Sequence, residues 1–92
     1  MLKGIGKRIK DLRDERDLSM DMLVADMNTR YQFDKPLNKS MISRWENDIN
    51  NPTLEAVKCL CDYFNVSVDY MLGLTDVKTP VRHFHVKRRD DK

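Results

Sequence analysis

Apolar residues recur along the greater part of this chain at spacings of three and four, the repeat of one helix face. Ile5, Ile9 and Leu12 stand at i, i+4 and i+7 with charged residues between them, so residues 3–16 are predicted to form an amphipathic helix with its stripe on a core. Ser19 offers an N-cap for a second helix, on which Met20, Leu23, Val24 and Met27 draw a stripe that Tyr31 can extend. The periodicity fades over residues 28–36, where Pro36 appears. Asn38 then caps a short third helix with Met41, Ile42 and Trp45 on one side. Residues 47–52 are turn chemistry, and Thr53 caps a fourth helix carrying Leu54, Val57, Leu60, Cys61 and Phe64, the most strongly buried face in the chain. Ser67 opens a last short helix over residues 68–72, which Gly73 can end in the left-handed conformation.

Five helices in about 70 residues, joined by short links, predict an all-α fold whose core is made of helix faces alone. A length of 92 residues fits one domain with one modest core, here residues 1–74, and leaves 75–92 as a C-terminal tail that is extended or disordered. Within the tail, residues 80–87 set Val81, His83 and His85 against Arg82, Phe84 and Val86, a period of two compatible with a short strand. A lone strand is unstable, so this one is expected either to pair as a dimerising edge or to stay disordered. No apolar run is long enough to span a membrane or to serve as a secretory signal, and the expected location is the cytoplasm.

The net charge of +2 does not by itself imply a nucleic-acid partner. Distribution says more: Lys3, Lys7, Arg8, Lys10, Arg13 and Arg16 crowd the start, and Arg82, Lys87, Arg88 and Arg89 the end. Both clusters can flank a phosphate backbone, or be ordinary solvated surface. Cys59 and Cys61 lie about 200° apart on a helix and cannot bridge each other. They read as small buried residues; a zinc site with His83 and His85 would need both cysteines to aim at one ion, so no metal and no cofactor are expected. There is no glycine-rich phosphate loop and no His/Asp arrangement on a common face, and no catalytic residue is assigned.

Two helices joined by a turn, the second short and capped at Asn38, give a geometry that a DNA major groove accepts. Burying Ile42 and Trp45 leaves Lys39, Ser40, Ser43 and Arg44 to project, and an arginine such as Arg44 can bond guanine with both arms of its fork. Periodicity alone favours a generic helical bundle over a DNA reader, because polar residues are what any helix shows to water. Three separated motifs go further: Ser40-Met41-Ile42-Ser43-Arg44-Trp45-Glu46-Asn47, then Asn51-Pro52-Thr53-Leu54, then Phe64-Asn65-Val66-Ser67-Val68-Asp69-Tyr70-Met71-Leu72-Gly73. In this order and spacing they closely resemble the Cro/repressor family of phage-type helix-turn-helix domains, from about Ile5 to Gly73.

The resemblance implies a compact five-helix, lambda-repressor-like domain with its helix-turn-helix at the second and third helices. It implies that Lys39, Ser40 and Arg44 face bases and that Asn38, Ser43, Asn47 and Met20, at the start of the second helix, meet phosphates. It also implies a structural pair between Arg13 and Glu46 that locks the first helix onto the recognition helix, the alternative being two ordinary surface charges. The chain departs from the family in its turn, which usually has about four residues. Here 28–36 adds about eight, read as an extension of the second helix through about Tyr31 and then a loop into Leu37. Arg30 and Lys35 in this insertion are expected to reach the DNA backbone, while Tyr31 and Phe33 pack the lengthened helix end.

The function expected is that of a transcriptional regulator, a repressor of phage or prophage type, whose homodimer sets two recognition helices on a pseudo-palindromic operator in double-stranded DNA. An alternative is an antitoxin-like or adaptor protein whose tail, with Val81, Phe84 and Val86 exposed until covered, folds on a protein partner.

Overall fold

The computed structural model describes residues 4–79 and 86–89. Within them run five helices: α1 Ile5–Glu15, α2 Met20–Arg30, α3 Lys39–Glu46, α4 Leu54–Phe64 and α5 Val68–Met71. Four of them start where the polar pattern placed a cap. Ser19, Asn38, Thr53 and Ser67 hold extended backbone, and their side chains accept hydrogen bonds from the N–H groups of Met22, Met41, Ala56 and Tyr70. Each cap satisfies one of the N–H groups that a helix start leaves without an intrahelical partner.

The helix ends share a device. Asp17, Asp48, Asn65 and Gly73 take left-handed backbone, with φ of 53°, 57°, 57° and 79°. The next residue's N–H then reaches back into the last turn: Leu18 to the Arg13 carbonyl at 3.0 Å, Ile49 to Arg44 at 2.9 Å, Val66 to Cys61 at 3.0 Å and Leu74 to Asp69 at 2.9 Å. This closure reverses the chain sharply and lets the next helix pack back on the core. α2 is the exception, since it leaves its last turn into extended Tyr31 with φ −116° and ψ 157°. The helix therefore ends one residue short of Tyr31, and the chain runs outward into the insertion.

Ile9 and Leu12 of α1, Leu23 and Met27 of α2, and Ile42 and Trp45 of α3 meet the buried face of α4, from Val57 to Phe64, as the stripes predict. Leu54 does not follow its stripe and is 75% exposed. Helical side chains lean toward the N-terminus, so a residue in the first position of α4 overhangs the helix end and clears the core. Ala56 and Pro52 are buried at that end instead.

The insertion is packed rather than loose. Tyr31 is buried, its hydroxyl donates to Asp62 Oδ2 at 2.5 Å, and its ring meets Phe33 edge-on with centroids 6.3 Å apart. Residues 86–89 return to this spot: Tyr31 and Arg88 form an antiparallel bridge, Gln32 N donates to Lys87 O at 3.0 Å, and Arg89 N donates to Arg30 O at 3.0 Å. Arg88 also pairs with Asp62 at 2.8 Å, and Val86 is buried. Residues 86–89 thus have a backbone partner inside the chain. The rest of the predicted strand, with Val81, Arg82, His83, Phe84 and His85, lies outside the described residues. No helix among the described residues is long and apolar enough to cross a membrane.

Candidate nucleic-acid interface

The interface is built on α2, the enlarged turn and α3. A single amide closes the turn: Asn28 Nδ2 donates to the Leu37 carbonyl at 2.9 Å, and Leu37 N donates to Asn28 Oδ1 at 2.9 Å. This two-way bond does for the wide loop what a backbone pair does for a short turn. It holds Leu37 buried beside Asn38, so α3 starts from a fixed point however long the intervening loop is. Nothing in the hydrophobic pattern marks Asn28 for this task, and the sequence reading passed over it.

From that point α3 turns Ile42 and Trp45 inward, 0% and 4% exposed, and leaves Lys39, Ser40 and Arg44 exposed. Asn38 Oδ1 takes the Met41 N–H at 2.9 Å. Two independent contacts press α3 against α1. Arg13 meets Glu46 with both arms of its guanidinium, Nε to Oε2 at 2.8 Å and Nη2 to Oε1 at 2.9 Å, while Nη1 donates to the Leu18 carbonyl at 2.7 Å. Bonding to Glu46 raises the Arg13 pKa against the opposing effect of desolvation. The Glu46 side chain is 3% exposed, so the pair is a sheltered clamp and not two surface charges. The second contact is Gly6. A Cβ built there would lie 2.2 Å from the Trp45 carbonyl oxygen and 3.0 Å from that of Glu46, so α1 can approach the end of α3 this closely only with glycine.

The remaining predicted residues are placed around this helix. Met20 is half-buried at the start of α2, and Ser43 is half-buried on α3. Asn47 ends α3 and donates to the Ser43 carbonyl at 2.8 Å. Lys39 stands 3.9 Å from Asp21 on α2, both widely exposed, a pairing of small consequence in water. Lys35 is exposed on the insertion. Arg30 lies at the far end of α2 from Met20, its guanidinium carbon 4.8 Å from the centre of the Tyr63 ring. Tyr63 in turn donates to Asp26 at 2.6 Å.

The basic start of the chain is largely engaged in holding the fold. Arg8 is 4% exposed, donates to Asp76 Oδ1 at 2.7 Å and to the Thr75 carbonyl at 3.1 Å, and covers the Tyr70 ring at 4.1 Å. Arg16 donates to the carbonyls of Tyr63 and Phe64 at 3.2 and 3.1 Å, a cation at the C-terminus of α4 where the helix dipole favours one. Lys7 and Lys10 pair along α1 with Asp11 and Asp14. Cys59 and Cys61 are both buried and free, and burial pushes each thiol up to about 12. Among the described residues no group of three or more His, Cys, Asp or Glu side chains is placed to hold a metal ion. His83 and His85 lie outside them.

Two helices joined by a braced turn, the second with an exposed polar face, define a helix-turn-helix protein. The model of the helix-turn-helix family matches residues 9–71, and the chain belongs to that family, in its Cro/repressor type. Among curated proteins it is similar to YobD of Bacillus subtilis (strain 168), an uncharacterized HTH-type transcriptional regulator, with 31% identity over 74 residues. The aligned segment is 80% of this chain and spans 59% of the length of that regulator.

Proposed function

We propose that the protein is a sequence-specific, DNA-binding transcriptional regulator that reads the major groove with α3 and acts as a repressor. The observation that carries this reading is the bracing of α3 from behind by Ile42, Trp45 and the Arg13–Glu46 clamp, with Lys39, Ser40 and Arg44 left exposed on the other side. The name of the Bacillus relative supports it. Lys39, Ser40 and Arg44 read base edges; Asn38, Ser43, Asn47 and Met20 meet phosphates. Arg30 and Lys35 extend the backbone contacts along the insertion. A homodimer places two copies of α3 in successive major grooves, about 34 Å apart, on a pseudo-palindromic site in a phage, prophage or bacterial operator.

Selection of bound sequences from a random DNA pool, read with the mass of the complex, tests the proposal as a whole. It is expected to return a two-fold-related site, and recovery of no sequence preference refutes it. Arg44→Ala is expected to lower discrimination by about 1–3 kcal/mol at one base position while leaving non-specific binding nearly intact. The Arg30→Ala, Lys35→Ala pair is expected to weaken all sequences alike and to flatten the salt dependence of binding. Unchanged discrimination in the first, or an unchanged salt slope in the second, removes those residues from the interface.

A further inference from the structure

Behind α3, between the insertion and the start of α4, lies a cleft of about 980 Å³. Small-molecule sites have about this size, roughly 300–1,000 Å³, and are walled mostly by apolar side chains with a few polar groups that fix orientation. Phe33 and Leu37 form the wall on the side of the insertion, Met41 and Trp45 the wall on the side of α3, and Ala56 contributes from α4. Lys35, Lys58 and Lys87 also line it. Lys58 stands 3.7 Å from Glu55, which accounts for one carboxylate of the lining. Asp34 is the other carboxylate, left against Lys35 and Lys87, which have no ion-pair partner among the described residues. Among the described residues, two ammonium groups without an ion-pair partner therefore stand with one carboxylate in the lining, which gives mostly apolar walls a net positive charge.

We propose that this cleft binds a small amphipathic carboxylate, its apolar body against Phe33, Met41 and Trp45 and its carboxylate toward Lys35 and Lys87. Charge and surface chemistry together select this class: the walls favour an apolar body, and the excess of ammonium groups favours one negative end over a neutral one. Met41 and Trp45 belong to α3, so an occupant touches the inner side of the helix assigned to DNA. Its effect on DNA binding rests on the proposed function, but occupancy does not.

The test therefore uses no DNA. The full chain is titrated with decanoate and, separately, with decanol, both below the concentrations at which they self-associate, and the emission of Trp45, the only tryptophan, is followed. Decanoate is expected to give a saturable change and to raise the thermal midpoint, as a ligand of the folded state must. Decanol is expected to bind about fivefold more weakly or less. A Lys35→Gln, Lys87→Gln variant, altered at two exposed positions, is expected to weaken decanoate about fivefold and to leave decanol unchanged. No saturable change, equal binding of acid and alcohol, or a midpoint that falls overturns the proposal. So does a Trp45 emission that depends on protein concentration and is indifferent to decanoate, which assigns the cleft to a second copy of the chain. Failure in these arms leaves the random-pool selection untouched, and failure there leaves these arms untouched.

Discussion

Replacing Gly6 by alanine sets two physical effects against each other, and the structure decides between them. Alanine is favoured over glycine within a helix by about 1 kcal/mol, so propensity alone makes Gly6→Ala stabilising. The added Cβ, however, would stand 2.2 Å from the Trp45 carbonyl oxygen and 2.9 Å from Asp48 Oδ1. The Asp48 side chain can turn away, but the Trp45 carbonyl is backbone within α3 and can withdraw only if the two helices separate by about 1 Å. Forcing extra atoms into a packed contact typically costs about 1–3 kcal/mol, and separating α1 from α3 also stretches the Arg13–Glu46 clamp. The clash is expected to win, for a net loss of about 2 kcal/mol. Urea unfolding followed by Trp45 fluorescence reads this as a drop of about 1 M in midpoint. Gly4→Ala is the control, because the nearest neighbour of its Cβ would be the rotatable Asp48 carboxylate at 3.2 Å, and its stability is expected to stay within about 0.5 kcal/mol of the parent. A Gly6→Ala midpoint at or above the parent value would refute the close approach of α1 to α3 and the bracing argued from it.

Glu46→Ala leaves the Arg13 guanidinium, 12% exposed, without its main partner, and a loss of about 3 kcal/mol is expected in the same unfolding assay. Removing both charges as Arg13→Leu, Glu46→Leu is expected to recover most of that loss; equal stability of Glu46→Ala and the parent would show that the clamp carries nothing. The pH dependence follows from the buried thiols. Cys59 and Cys61 ionise near 9 when unfolded and near 12 when folded, so the folded chain keeps protons that the unfolded chain releases. Their stabilising effect is complete below pH about 9 and is lost as pH rises from there toward 12. Unfolding free energies from urea titrations at pH 8 and 10 should fall further for the parent than for Cys59→Ala, Cys61→Ala, by about 3 kcal/mol; parallel pH profiles would refute the assignment.

The four caps and the stripe of each helix were legible because they obey local rules, in which the cap and the period both lie within a few residues of each other. Asn65, Asp17 and Asp48 were not singled out as helix ends, since aspartate and asparagine are common in many settings and only the chain reversal reveals the left-handed backbone. The polar face of α3 was read from the burial of Ile42 and Trp45, and the Arg13–Glu46 pair from family resemblance alone. Gly6 and Asn28 were missed for one reason: each acts on a partner at a distance in sequence that no period connects, Trp45 in the first case and Leu37 in the second. Leu54 was misplaced because a stripe has no knowledge of where the core ends. The basic start of the chain is the most instructive case, because a cluster of arginines on an amphipathic helix reads identically whether its targets are phosphates or the carbonyls and carboxylates of its own fold.

That last ambiguity bears on how affinity and specificity divide in this protein. Arg8, Arg13, Arg16 and Arg88 all have partners within the chain, on Asp76, Glu46, the end of α4 and Asp62. A guanidinium held in this way is poorly placed to release counterions from DNA, so the sequence-independent part of binding falls to fewer cations than the composition suggests. What the engaged arginines supply instead is geometry, since they fix α1 against α3 and α4 before any DNA arrives. Under the function proposed above, a net charge of only +2, with these arginines engaged on the chain's own groups, favours discrimination over adhesion. The proposed base contacts of α3 would then carry a larger share of the binding free energy than in a strongly basic domain, with the stiffness of the α3 support setting their selectivity.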